Sequence, residues 1–194
     1  TEMLHIFLSN SPNDLRYGTS GRAVPGYELK LVDDEDEPVA QGEIGELLVK
    51  GPSSAIAYFN NRPKSMATFQ GHWTRTGDKY TQDENGFYVY SGRSDDMLKV
   101  GGIWVSPFEV ESVLLVHNSV FEVAVVGKAD EKNLTKPKAF VVPHGVVGSD
   151  ALVDELKTFV KARLAPYKYP RWIEFVEELP KTATGKIQRF KLRQ

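Results

Sequence analysis

The chain contains no cysteine, which excludes disulfides, thiolate nucleophiles and cysteine-ligated metals, and which is compatible with a reducing cytosol. A cytoplasmic location is therefore expected. Net charge is almost absent, −2 over 194 residues, so bulk electrostatics favour neither nucleic acid nor an anionic membrane surface. No apolar run approaches the ~20 residues that cross a bilayer, and no basic-apolar leader opens the chain. Histidine is scarce: His72, His117 and His144 show no metal-ligand spacing. An initiator methionine is missing too; the chain opens on Thr1-Glu2-Met3, which suggests a fragment or a trimmed product. The length suits one large domain or two small ones with real cores.

What is present changes character along the chain. Ser9 to Asp14 reads as a loop, and Tyr27 to Val32 alternates apolar and polar residues as a half-buried strand does. The acidic run Asp33 to Glu37 reads as a solvated turn, and Gly42 to Gly51 encloses another strand. A short helix is expected around Pro63 to Phe69. Trp73 to Asp78 and Phe87 to Tyr90 read as strands joined by a turn around Asn85-Gly86, with Asp78 at a strand end. After Gly92 helices enter. Ser106-Pro107-Phe108-Glu109 supplies a cap, a proline at the first helical position and an acid three after the cap. Val123 to Val126 and Ala139 to Val142 read as buried strands, and Leu152, Leu156, Phe159, Val160 and Leu164 recur at helical spacing before Pro166. Ile173 to Val176 is a last strand. The fold class is α+β: a β-rich segment, residues 1–94, followed by a small α+β unit, 95–194.

Near the end, Pro180-Lys181-Thr182-Ala183-Thr184-Gly185-Lys186-Ile187 predicts an open loop, because hydroxyl side chains compete for local backbone groups and glycine tolerates positive φ. Such a loop holds Lys186 outward, a compact cation suited to charge developing on phosphate or carboxylate oxygens. A solvated basic tail is the plainer alternative. A phosphate-cradling P-loop is excluded, since that motif needs glycine at 180 and Ser or Thr at 187, where Pro180 and Ile187 stand.

Four separated stretches, Thr1-Glu2, Trp73-Thr74-Arg75-Thr76-Gly77-Asp78, Ser91-Gly92-Arg93-Ser94-Asp95-Asp96-Met97-Leu98-Lys99-Val100-Gly101-Gly102 and the Lys186 loop, occur in one order. Together they resemble the acyl-adenylate-forming superfamily of acyl- and aryl-CoA ligases, luciferases and peptide-synthetase adenylation domains. The likeness covers essentially the whole chain, as the C-terminal third of such an enzyme. Glu2 to Asn10 and Ser94 to Pro107 look most like benzoate-CoA ligases.

The resemblance implies two steps: ATP, Mg and a carboxylate give an acyl-adenylate, and CoA then displaces AMP. It implies that Thr1 contacts the α-phosphate, Glu2 helps hold Mg, Asp78 accepts the ribose hydroxyls, and Arg93 makes a second contact on the ribose or phosphate side of the nucleotide. Lys186 is implied as the catalytic lysine of the first step. Asp95 aligns with the hinge about which a mobile lid domain turns, Gly101 and Gly102 with the backbone that approaches the pantetheine arm of CoA, and His5 and Ile6 with the acyl pocket. The implied partners are an aromatic carboxylate such as benzoate, ATP and CoA, with no nucleic acid and no membrane; a homodimer is one option for the longer form. Relatives often carry a tryptophan near Asp130 to Leu134 to pack on CoA, and none stands there. The fragment alone is expected to be inactive. The alternatives are another acyl-CoA synthetase, a peptide-synthetase adenylation domain and a noncatalytic nucleotide-binding fragment.

Overall fold

Short strands separated by glycine turns build the first of two units, Thr1–Asp95. The computed structural model describes residues 1–193. Strands β1 (Leu8–Ser9) and β2 (Arg22–Ala23) pair antiparallel; the mixed composition of the first twenty residues gave no sign of them. The main sheet holds β3 (Glu28–Val32), β4 (Gly45–Lys50), β5 (Phe69–Gln70), β6 (Trp73–Gln82) and β7 (Tyr88–Arg93), all antiparallel, with β6 pairing β4, β5 and β7. The alternation of β4 buries Leu47 and Val49 with Met3 and Tyr88. Each such side chain contributes about 1.5–3 kcal/mol on leaving water. Helix α1 (Arg62–Thr68) is capped by Asn61, whose side chain accepts from the Lys64 amide. The acidic run is a turn: Asp33 Oδ1 accepts from the amides of Glu35 and Glu37, both at 2.9 Å.

The second unit, Asp96–Gln194, begins with a hairpin of β8 (Leu98–Val100) and β9 (Ile103–Val105). Helix α2 (Pro107–Leu115) starts where its sequence dictates, with Ser106 Oγ accepting from the Glu109 amide at 3.1 Å. Strands β10 (Val120–Ala129) and β11 (Thr135–Pro143) pair antiparallel, α3 (Asp150–Lys161) follows, and β12 (Trp172–Phe175) joins β11 parallel. A 3₁₀ turn, Arg189–Leu192, ends the described chain. The apolar run of β10 is explained by burial on both faces. Val123 and Val125 pack with Val110, Leu114 and Leu156, while Ala124 and Val126 pack with Phe140, Leu179, Ile187 and Leu192. The C-terminal segment is thus the second cover of the sheet, and this fixes where Lys186 emerges.

The architecture is α+β, a β-rich unit and then a mixed one. Most element ends lie a few residues from those read in the sequence, and the hairpin of β8 and β9 is an addition to that reading. Strand β6 continues through Asp78 to Gln82, so Asp78 is interior rather than terminal. Helix α3 ends at Lys161, and Leu164, although packed on the core, follows it in a turn. The segment before Lys186 is a closed turn rather than an open loop, as described below. Among the described residues no helix is long and apolar enough to cross a membrane.

Candidate functional site

In the first unit a cleft of about 210 Å³ is lined by Thr1, Glu2, Thr74, Thr76, Asp78 and Arg93, with Met3 and Phe7 as its apolar members. Three chain segments far apart in sequence meet there, and a fault in the β-sheet brings them together. Opposite Leu47 of β4, strand β6 places three residues, Thr76, Gly77 and Asp78, because Glu46 pairs with Lys79 and Leu48 with Arg75. Such a bulge re-aims side chains that a regular ladder would hold in alternation. Its geometry is fixed from within: Thr76 Oγ1 donates to Leu47 O at 2.9 Å and accepts from the Asp78 amide at 3.2 Å.

Gly77 adopts φ +72°, and a Cβ there would lie 2.9 Å from Arg93 Nη2. The left-handed angle favours glycine, and a side chain there would have to displace the tip of Arg93. Asp78 faces Arg93 across the β6–β7 pair, and Arg93 Nη1 donates to Asp78 Oδ1 at 3.1 Å and to Thr76 O at 3.2 Å. Burial pushes the Asp78 carboxyl above its ordinary value, with the Arg93 charge opposing without cancelling it. Asp78 is therefore a partly desolvated acceptor with Oδ1 engaged by a single guanidinium nitrogen.

The Thr1–Met3 segment is held by a loop that the sequence did not flag. Ala55 N donates to Glu2 O at 2.8 Å, Ser53 Oγ bonds Met3 O, and Tyr58 Oη donates to Glu2 Oε1 at 2.6 Å. The Tyr58 hydroxyl holds the Glu2 carboxyl below its usual value, with burial opposing. Ser54 Oγ and Thr74 Oγ1 lie 2.6 Å apart, stitching the same loop to β6. No cluster of three or more His, Asp or Glu capable of holding a metal exists among the described residues. One ionised carboxylate, Glu2, suits Mg²⁺ arriving with phosphate oxygens, since Mg²⁺ keeps waters and takes one or two protein carboxylates with its substrate.

His5 and Ile6 do not line this cleft. His5 is exposed, its Nδ1 3.2 Å from Ile6 O, and Ile6 is 61 % exposed. Phe7 is the member of that stretch that does line it. Asp95, the last residue of the first unit, is 77 % exposed, with Oδ1 3.6 Å from Arg93 Nε.

The remaining residues belong to the second unit. Gly101 and Gly102 form the two-residue turn between β8 and β9, with φ +58° and +86°. Two positive angles define a type I′ hairpin, which alone accounts for both glycines. A Cβ at either would meet nothing within 4 Å. Lys186 follows a turn closed by its own bonds: Thr182 N donates to Lys186 O at 2.8 Å, Gly185 N to Thr182 O at 2.9 Å, and Lys186 N to Thr182 Oγ1 at 3.1 Å. Gly185 takes φ +81°. Lys186 is exposed and has no ion-pair partner among the described residues.

Comparison with known proteins gives the following. The family model described as AMP-binding enzyme matches residues 1–59, and that described as AMP-binding enzyme C-terminal domain matches residues 109–186. Benzoate--CoA ligase of Thauera aromatica is 63% identical over 195 residues, covering 100% of this chain and 37% of the relative. The 4-hydroxybenzoate--CoA/benzoate--CoA ligase of Rhodopseudomonas palustris is 54% identical, covering 100% and 36%. Among solved structures, an anthranilate CoA ligase in complex with anthranoyl-AMP superposes with TM-score 0.92 at 57% identity, covering 98% of this chain and 37% of that one. A benzoate CoA ligase from Burkholderia xenovorans LB400 gives TM-score 0.89 at 60% identity, covering 100% and 39%. The chain therefore spans little more than a third of the length of these relatives.

Proposed function

The chain belongs to the AMP-binding enzyme family, and from that premise we propose that it is the C-terminal part of an ATP-dependent aryl-CoA ligase. The whole enzyme joins an aromatic carboxylate such as benzoate to CoA through an acyl-adenylate. In this reading Thr1–Asp95 closes the large nucleotide-binding domain and Asp96–Gln194 is the mobile lid. The observation that carries it is the convergence of Thr1, Glu2, Asp78 and Arg93 on one cleft from three separate segments.

Each residue has a role its surroundings fit. Asp78 accepts the ribose hydroxyls as charge-assisted bonds, held in position by Arg93 and the bulge. Thr1 and Glu2 face the phosphates, with Glu2 kept ionised by Tyr58 and available to Mg²⁺. The Lys186 ammonium, with no resident partner, meets the charge that develops as the substrate carboxylate attacks the α-phosphate. After pyrophosphate leaves, rotation at Asp95 withdraws Lys186 and brings in the Gly101–Gly102 turn, where backbone without side chains leaves room for a thiol-bearing arm. His5 and Ile6 remain proposed for the acyl side, where their exposure leaves them available to it. A cytoplasmic location belongs to the same proposal and rests on the cysteine-free composition.

The test is AMP release by the full-length enzyme across a panel of carboxylates, with and without CoA. Aromatic acids should give CoA-dependent AMP release, with benzoate or a ring-substituted analogue preferred. Equal turnover of aliphatic acids sinks the aryl assignment, and absence of carboxylate-dependent pyrophosphate exchange sinks the ligase reading. The 194 residues alone should show no such exchange.

A further inference from the structure

The turn that carries Lys186 is tied down on both flanks. On the incoming side Lys181 Nζ meets Glu122 Oε1 of β10 at 2.5 Å. On the outgoing side Arg189, three residues past Lys186, reaches Glu111 of α2. Its Nη2 donates to Oε1 at 2.9 Å and to Oε2 at 2.7 Å, and its Nε lies 3.3 Å from Oε1. The Glu111 side chain is 6% exposed, and its Oε1 also accepts from the Val125 amide of β10 at 2.7 Å. Arg189 Nη1 lies 3.7 Å from Asp96 Oδ2, while Arg193 Nη2 bonds Asp96 Oδ1.

A buried carboxylate on a helix otherwise facing apolar neighbours is costly to desolvate, and well-packed apolar residues are often as stable in its place. Stability alone gives little reason for Glu111. Its geometry gives one: a planar fork, held bidentately, fixes orientation as well as distance. Through this fork the backbone just beyond Lys186 is referenced to α2, to β10 and to Asp96, the residue directly after the proposed pivot.

Resting on the ligase reading above, we propose that Glu111 and Arg189 are positioning residues for adenylate formation. They make the Lys186 turn and the chain at the pivot parts of one rigid body, so that rotation delivers the ammonium at a fixed place rather than on a tether. The Gly101–Gly102 turn is held differently: its strands pack through Leu98, Val100 and Val105 into the helix-side core. Loosening the Arg189 fork should therefore harm the first half-reaction and spare the second.

The test uses the full-length enzyme with Glu111→Gln, Arg189→Lys and, as reference, Lys186→Ala. Adenylate formation is followed by pyrophosphate release at saturating ATP and carboxylate, and thioester formation by mixing preformed acyl-adenylate with CoA. Glu111→Gln keeps the volume and an acceptor for Val125 N. Arg189→Lys, at a side chain 21% exposed, covers the case in which the first variant fails to fold. Misplacement of a reacting group by about an ångström costs on the order of a hundredfold. A tenfold to hundredfold fall (roughly) in kcat for adenylation is thus expected, with KM values unchanged and the thioester step within about twofold. Equal loss in both half-reactions means scaffolding and overturns the proposal. So does retention of adenylation by both variants while Lys186→Ala loses it. Retention of adenylation by Lys186→Ala instead overturns the role of the lysine in the underlying reading.

Discussion

The cleft of the first unit and the Lys186 turn of the second are built on opposite principles. In the cleft the charges are already engaged: Glu2 with Tyr58, Asp78 with Arg93, and the bulge locked by Thr76. In the turn the flanks are engaged and Lys186, the cation proposed to act in adenylation, is not. A site that grips the same nucleotide through both steps gains from groups fixed in advance, because no reorganisation accompanies binding. A cation that must meet charge in one step and leave before the next is better without a resident partner, which would have to be displaced each time.

That contrast is sharpest at Lys186. Lys186→Ala in the full-length enzyme should lower the rate of adenylate formation by about 10²–10³, the loss typical of one preorganised donor, while thioester formation from preformed adenylate is kept. Comparable loss in both steps, measured by pyrophosphate and thioester release, breaks the contrast.

Asp78→Asn comes next. Losing a charged acceptor for the ribose should cost about 1.5–3 kcal/mol, roughly tenfold to a hundredfold in apparent ATP affinity. Stability should move the other way. Burial raises the folded-state pKa of Asp78 above its unfolded value, so the folded chain holds the proton more tightly and the ionised form costs stability at higher pH. The variant is expected to melt at or above the wild-type temperature near neutral pH. The difference should shrink as pH falls through the folded pKa of Asp78 and vanish below its unfolded one. A lower melting temperature at neutral pH would show that Asp78 is a structural ion pair instead.

The smallest effect is expected for Gly77→Ala. A left-handed angle in a non-glycine residue costs about 1–2 kcal/mol, and the new methyl would press on Arg93 Nη2. Denaturant unfolding should show that loss, with ATP affinity falling as Arg93 shifts. An unchanged midpoint would mean that the bulge relaxes freely and does not fix the cleft.

Local chemistry made several elements legible beforehand. The serine cap and proline before α2, the glycine-bounded β4 and the apolar run of β10 each specify their element through neighbours in sequence. The segments on the cleft were legible by resemblance, and a residue such as Asp78 could be named without knowing that it lies inside a strand. Tyr58 gave no signal, because its bond to Glu2 joins residues 56 positions apart. Glu111 gave none either, because its neighbours Val110 and Leu114 mark the helix face without revealing that a carboxylate between them is buried by an arginine 78 residues away.

Resemblance to a family marked the positions of the polar residues on the cleft; by itself the sequence determined most of the longer strands and helices, the cap of α2 and the exclusion of thiol chemistry. Those properties follow from spacing and from interactions within a few residues. Only the tertiary structure decided that β6 bulges at Gly77, that Tyr58 holds Glu2, and that Arg189 locks the end of the chain onto α2. Each of these depends on which distant backbone lies opposite, and that is set when sheets pair and cores close.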